Sequence, residues 1–301
     1  MTKFAVSAIT DEFSKDLNKV CSYLAEQDVE YVELRHVIDG NILTVEDDII
    51  EQAKDILKDN GLKVSCIAGG NLKCIPPSVD PEPTDKKSTS RNWRYNFSLI
   101  DRAFDLAEKL DAPYIRCFAF SGRWDVKPIK EWDNWQIFQE WKKIVEKTIA
   151  KAIKRGKMVI CENDAGFNKS LHQVQEIGKR FAGEGFGMLF DMANTVNKYR
   201  GDGILTDEWL NKIGQYFQYI HAKGSKKFLW FRGTTYVNGK HDITRWPQVL
   251  DYLSEMNPDD FVQPAPNPLF LSIETHMGGK KKKWARSARS LRNLQELVEN
   301  Y

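Results

Sequence analysis

Residues 158–162 read Met158-Val159-Ile160-Cys161-Glu162, four apolar residues closed by a carboxylate. A run of about 4–8 apolar, β-prone residues reads as a buried strand. The figure returns three times downstream, in Gly187-Met188-Leu189-Phe190-Asp191, Phe217-Gln218-Tyr219-Ile220-His221 and Leu269-Phe270-Leu271-Ser272-Ile273-Glu274. Each of these runs ends on a residue able to bind a metal ion. One such ending means little, but three carboxylates and a histidine, each closing its own strand, outline a binding site.

Outward from these runs the same alternation covers the chain. Strands are predicted at 4–9, 31–35, 63–68, 114–119, 158–162, 187–191, 217–222 and 269–274. Helices are predicted at 14–27, 46–59, 92–110, 131–155, 170–182, 206–214, 245–256 and 284–299. Gly61 and Gly156 stand just past two of them as left-handed caps, and Thr44 with Asp47, and Thr206 before Asp207-Glu208, mark helix starts. Strand alternating with helix implies parallel pairing through right-handed crossovers. Eight such units predict one α/β domain over 1–301, a closed (β/α)8 TIM barrel, a fold of typically about 250 residues. No GxGxxG or GxxxxGK[ST] follows a strand, so nothing favours an open nucleotide-binding sheet. Two long loops, 69–90 and 120–135, follow strand ends on the face where barrels carry their sites, and both are candidate walls or lids.

Composition is that of an ordinary globular enzyme: 42% hydrophobic, 29% charged, net charge +2. So balanced a charge gives no argument for a nucleic-acid partner. There is no run of about 18 apolar residues, hence no expected membrane span. Strand-like sequence begins at Phe4 without a signal-peptide core, and the five cysteines are odd in number with no CxxC pair. Reduced thiols and a cytoplasmic location are the expectation.

In a barrel the last inward residue of each strand reaches the top. Glu162, Asp191, His221 and Glu274 come from the fifth to eighth strands and can converge. The set is hard, oxygen-rich and free of thiolate, which suits one divalent ion. Mn²⁺ leads, with Mg²⁺, Co²⁺ and Zn²⁺ as alternatives.

The chain resembles the xylose isomerase-like barrel superfamily, and within it the sugar phosphate isomerase/epimerase branch. The resemblance rests on Val32-Glu33-Leu34-Arg35, Cys161-Glu162-Asn163, Phe190-Asp191-Met192-Ala193-Asn194, Ile220-His221-Ala222-Lys223 and Ser272-Ile273-Glu274, and it runs essentially full length. It implies that Glu162, Asp191, His221 and Glu274 hold one metal ion, and that Glu162 and Glu274 are also the catalytic acid/base pair. It implies a small-molecule sugar or sugar phosphate as substrate and, by analogy alone, a homo-oligomer. The chemistry is proton abstraction next to a carbonyl through an enediolate, read as isomerisation or epimerisation. The alternatives are an inosose-type or dehydroshikimate-type dehydratase, a class II apurinic endonuclease-like phosphodiesterase and a non-catalytic sugar-binding barrel. Glu33, Asn194, Lys223, Lys227 and His276 are the expected substrate-binding residues. Asn194 and Lys227 stand where tagatose- and psicose-type epimerases carry histidine and arginine. Gly278-Gly279-Lys280-Lys281-Lys282-Lys283 reads as a solvated charge run, or else as a phosphate site near the last strands.

Overall fold

The computed structural model describes residues 3–38, 40–85, 88–122, 124–164, 166–198, 205–228, 231–262, 264–277 and 282–301. Eight parallel strands close into a barrel: β1 (Phe4–Ile9), β2 (Tyr31–Leu34), β3 (Lys63–Asn71), β4 (Tyr114–Cys117), β5 (Met158–Glu162), β6 (Phe186–Asp191), β7 (Phe217–Ala222) and β8 (Leu269–Ile273). Each strand pairs with its neighbours in sequence, and β8 closes the ring on β1. Around it lie α1 (Leu17–Glu26), α2 (Asp47–Asp59), α3 (Trp93–Lys109), α4 (Gln136–Lys154), α5 (Leu171–Phe181), α6 (Met192–Lys198), α7 (Asp207–Ile213), α8 (Trp246–Glu255) and α9 (Lys283–Val298).

The period of two along each strand divides the barrel into layers. Inward residues Tyr31, Cys66, Ala68, Tyr114, Met158, Ile160, Leu189, Tyr219 and Phe270 pack into one apolar floor. Tyr219 meets Tyr114 edge-on at 5.8 Å, and its hydroxyl bonds to Ser65 Oγ at 2.8 Å, so the polar end of this buried ring is satisfied. Two residues further along β7 stands His221, and two further along β5 stands Glu162. The floor therefore carries the site directly above it. Outward residues of the same strands join the larger core beneath the helices.

Local chemistry explains most element ends. Ser170 and Gln173 form a capping box on α5, and Thr206 Oγ1 accepts from Trp209 N at the start of α7. Gly61 and Gly156 take the left-handed conformation past α2 and α4. Gly166 is irreplaceable for a further reason. Its φ is +59°, and a Cβ there would sit 1.6 Å from the Ala119 carbonyl oxygen, where the loop after β5 crosses the loop after β4.

Several sequence expectations need correction. Thr44 does not cap α2; Glu46 precedes that helix and the Thr44 hydroxyl donates to Asn41 O. The second strand stops at Leu34, and His36–Val37 instead pairs antiparallel with Gly40–Asn41. The strand expected at 63–68 runs on to Asn71, and the helix expected at 131–155 is a 3-10 turn, Ile129–Asn134, followed by α4. Helix α6 and the hairpin Gly224–Phe228 with Phe231–Thr235 were not foreseen. Of the two long loops, 69–90 does wall the barrel mouth. The loop 120–135 is mainly packing, since fully buried Trp132 stacks on Phe138 at 5.0 Å and meets Phe167 edge-on.

Candidate metal and acid/base centre

Six strands deliver a charged or imidazole side chain from their upper inward end. Glu33 comes from β2, Arg116 from β4, Glu162 from β5, Asp191 from β6, His221 from β7, and Glu274 from the residue just past β8. Strand pairing sets Asp191 opposite His221, Glu162 opposite Leu189 and His221 opposite Ser272. Ligand atoms of Glu162, Asp191, His221 and Glu274 all lie within 4.8 Å of one another, and all four side chains are buried.

The donor set fits a metal ion, and one atom shows it most directly. His221 Nε2 lies 3.1 and 3.0 Å from the two oxygens of Glu33, so that nitrogen is occupied. His221 Nδ1 is buried without a hydrogen-bond partner and faces Glu274 Oε2 at 3.3 Å and Glu162 Oε1 at 3.8 Å. A carboxylate on one ring nitrogen, leaving the other aimed into a carboxylate cluster, is the usual arrangement of a ligating histidine. Burial works to lower the His221 pKa, but Glu33 and Glu274 outweigh it and hold it well above its ordinary value. These carboxylates favour positive charge at the ring, and a coordinated dication would supply it in place of the Nδ1 proton.

The two glutamates are built alike. Glu162 turns Oε1 toward the cluster, where it accepts from Asn194 Nδ2 at 3.3 Å, and its Oε2 accepts from Arg116 Nη1 at 3.0 Å. Glu274 turns Oε2 toward the cluster, and its Oε1 accepts from Arg35 Nη1 at 3.0 Å. Burial raises the Glu162 carboxyl, yet Arg116 overrides it and the net shift is downward. For Glu274 burial again acts upward, and Lys223 with His221 pulls the group well below the usual range. Asp191 is the exception, raised by burial despite Lys223. Its Oδ1 accepts from the Ala193 and Asn194 amides at the start of α6. Behind this cage Asp11 and Glu12 take the rest of the Arg35 guanidinium. Six carboxylates thus share a network with three permanent cations, Arg35, Arg116 and Lys223. Buried charge of one sign is costly unless paired, so the network favours a further cation.

A cavity of about 240 Å³ opens onto this cage, bordered by Arg35, Lys73, Arg116, Glu162, Asn194, Glu274 and His276. The expected substrate residues divide around it. Asn194 and His276 line the cavity; His276, at φ +46°, places Nδ1 3.0 Å from Glu12 and Nε2 3.3 Å from Glu274. Glu33 and Lys223 are buried against the ligand residues and do not border the cavity. Lys227 is exposed on the outer hairpin, away from it. Of the lysine run, Gly278 to Lys281 lie outside the described residues, and the Lys283 ammonium donates to the Asp11 carbonyl.

Sequence reasoning missed Glu12 and, in the wall of the mouth, Asn41 and Asp164, while the loop 69–90 that it named as a candidate wall supplies Lys73, Thr89 and Ser90. Lys73 and Asp164 pair at 2.6 Å, tying the loop after β3 to the loop after β5. No local pattern signals such a pair, because only barrel closure brings those loops together.

The family model for the xylose isomerase-like TIM barrel matches residues 21–294, and the chain belongs to that family. A xylose isomerase-like TIM barrel protein from Mycobacterium smegmatis, solved in complex with magnesium, is 15% identical with a TM-score of 0.66, covering 99% of this chain and 97% of its own. The probable 3-DHS dehydratase AsbF of Bacillus anthracis is 13% identical with a TM-score of 0.64, covering 98% of this chain and 99% of its own. The D-allulose 3-epimerase from Methylomonas sp., in complex with D-allulose, is 11% identical with a TM-score of 0.62, covering 98% of each chain. At such identity these likenesses show the fold alone. No curated protein matches the sequence. No helix among the described residues is long and apolar enough to cross a membrane.

Proposed function

We propose that this chain is a divalent-metal-dependent isomerase or epimerase of a small sugar or sugar phosphate, working by proton transfer at the carbon next to a carbonyl. The observation that carries the reading is the matched pair Glu162 and Glu274. Each borders the cavity, turns one oxygen to the ligand cluster and has the other fixed by an arginine. A site that only bound sugar would not require two buried glutamates so arranged.

A divalent ion held by Glu162, Asp191, His221 and Glu274 would act as a Lewis acid on the substrate's oxygens and acidify the neighbouring C–H. Mn²⁺ is the first choice, with Mg²⁺, Co²⁺ and Zn²⁺ as alternatives. One glutamate takes the proton, a step worth roughly 10²–10⁴-fold when the base is well placed. The arginines suit both carboxylates to that role, because they favour the ionised form and fix the plane of each group. In epimerisation the other glutamate, carrying a proton of its own at that stage, delivers it to the opposite face and inverts the carbon, while the first glutamate keeps the proton that it took. Return of the abstracted proton to the adjacent carbon is aldose–ketose isomerisation. Asn194 and His276 are the substrate contacts in this reading, Glu33 and Lys223 act through the ligands, and Lys227 has no part. The near-neutral net charge and the small cavity favour a sugar over nucleic acid. A cytoplasmic homo-oligomer completes the proposal.

The test is an NMR screen of ketoses, ketose phosphates and inososes with Mn²⁺ in D₂O. Deuterium should enter beside the carbonyl with the wild type, and at least about 100-fold more slowly with Glu162→Gln and with Glu274→Gln. Wash-in at the wild-type rate in both variants refutes the mechanism.

A further inference from the structure

Lys223 is the next inward residue above His221, and its side chain is 3% exposed. Its ammonium lies 2.5 Å from Asp191 Oδ2 and 2.8 Å from Glu274 Oε2, two of the four ligand residues. Among the described residues those are its hydrogen-bond partners. The other two cations of the network have second anchors, Arg35 on Asp11 and Glu12, and Arg116 on the Ala68 carbonyl at 2.6 Å. Lys223 alone is spent wholly on the ligand cage. It does not border the cavity, which argues against the contact with substrate expected from sequence.

We propose that Lys223 is the internal counter-ion of the metal site, holding the Asp191 and Glu274 carboxylates together and competing with the metal ion for their charge. Three carboxylates within 4.8 Å of one another repel strongly in a buried setting. An ammonium bridging two of them relieves that repulsion, so the cage stays assembled independently of the ion. The same positive charge opposes an arriving dication. Metal binding is therefore weaker, and less coupled to folding, than the four ligands alone would make it. Lysine suits this task as a compact point charge with three rotatable donors.

The inference rests on the metal-dependent reading above, and the experiment separates the two. Chelator-stripped wild type and Lys223→Met are titrated with Mn²⁺ by calorimetry, and each is melted with and without Mn²⁺, in the absence of any sugar. Lys223→Met should bind Mn²⁺ at least about tenfold more tightly, since a neighbouring unit charge is removed. It should melt below wild type when stripped and close to wild type when saturated. If stripped Lys223→Met does not fold, folding on addition of Mn²⁺ supports the proposal, and failure to fold even in saturating Mn²⁺ overturns it. Unchanged or weaker Mn²⁺ affinity, or a melting loss equal with and without the ion, also overturns it and makes Lys223 an ordinary ion-pair residue. A wild type that binds no divalent ion overturns the functional reading as well.

Discussion

Glu33→Ala removes the carboxylate that meets His221 Nε2 at 3.0 and 3.1 Å, in a place with no exposure to solvent. Two effects follow. The ring N–H loses a buried partner, which costs about 1–3 kcal/mol of stability. At about 2 °C per kcal/mol for a chain of this size, melting should fall by about 2–6 °C. The ring also loses what sets its tautomer and plane, so Nδ1 is no longer aimed at the carboxylates. Loss of such a supporting group typically weakens metal binding about 10–100-fold, or about 1.4–2.7 kcal/mol. Glu33→Gln keeps an acceptor for the N–H and should lose less on both counts. Calorimetric Mn²⁺ titration of the stripped proteins, beside circular dichroism melts, reads the two effects separately. A folded Glu33→Ala variant that binds Mn²⁺ within twofold of wild type refutes the orienting role. If its KM for sugar rises instead, the substrate contact expected from sequence is the right one.

Four further outcomes are expected. Gly166→Ala forces a Cβ to 1.6 Å from the Ala119 oxygen at φ +59°, so it should destabilise by at least about 2 kcal/mol in denaturant titrations, and an unchanged midpoint would exclude a rigid crossing there. Trp132→Ala empties a fully buried site in the packed loop and should cost about 3–5 kcal/mol while leaving the Mn²⁺ affinity of the folded protein unchanged. Burial pushes the Cys21 thiol up from 9.0 to about 12. The folded chain thus holds this proton more tightly than the unfolded chain, and the associated stability is intact below pH 9 and lost as pH rises from 9 toward 12. Melts at pH 7 and pH 10 should show that decline, and all five buried thiols should resist a thiol reagent until the protein is denatured.

The barrel was legible because buried strands and amphipathic helices differ in period, and eight repeats of that contrast admit few architectures. The quartet Glu162, Asp191, His221 and Glu274 was legible for a related reason: each falls within one residue of the end of its strand. What lay beyond reach depended on register and on where loops travel after the strand ends. Glu33 and Asn194 were both read as substrate contacts, yet Glu33 is buried on His221 while Asn194 faces the cavity. Their sequence neighbourhoods do not distinguish the two. Lys223 belongs with the ligands because the inward period of β7 continues one step past the strand. Lys227 does not, because an unforeseen hairpin carries it outward. Glu12 leaves no local trace, since its partners are Arg35 across the barrel mouth and Thr275 and His276 more than 260 residues away.

The closing of β8 onto β1 and β7 has a consequence for the site. Glu274 stands just past the eighth strand of the ring, while Glu33 and Glu12, which brace the cage, come from the first two βα units on the other side of the closure. A slip of one residue in any of these strands turns its site residue out of the barrel. With a metal ion bound as proposed, its affinity would report the register of β5 to β8 through the four ligand residues, and the state of the closed ring through Glu33 on His221 and Arg35 on Glu274.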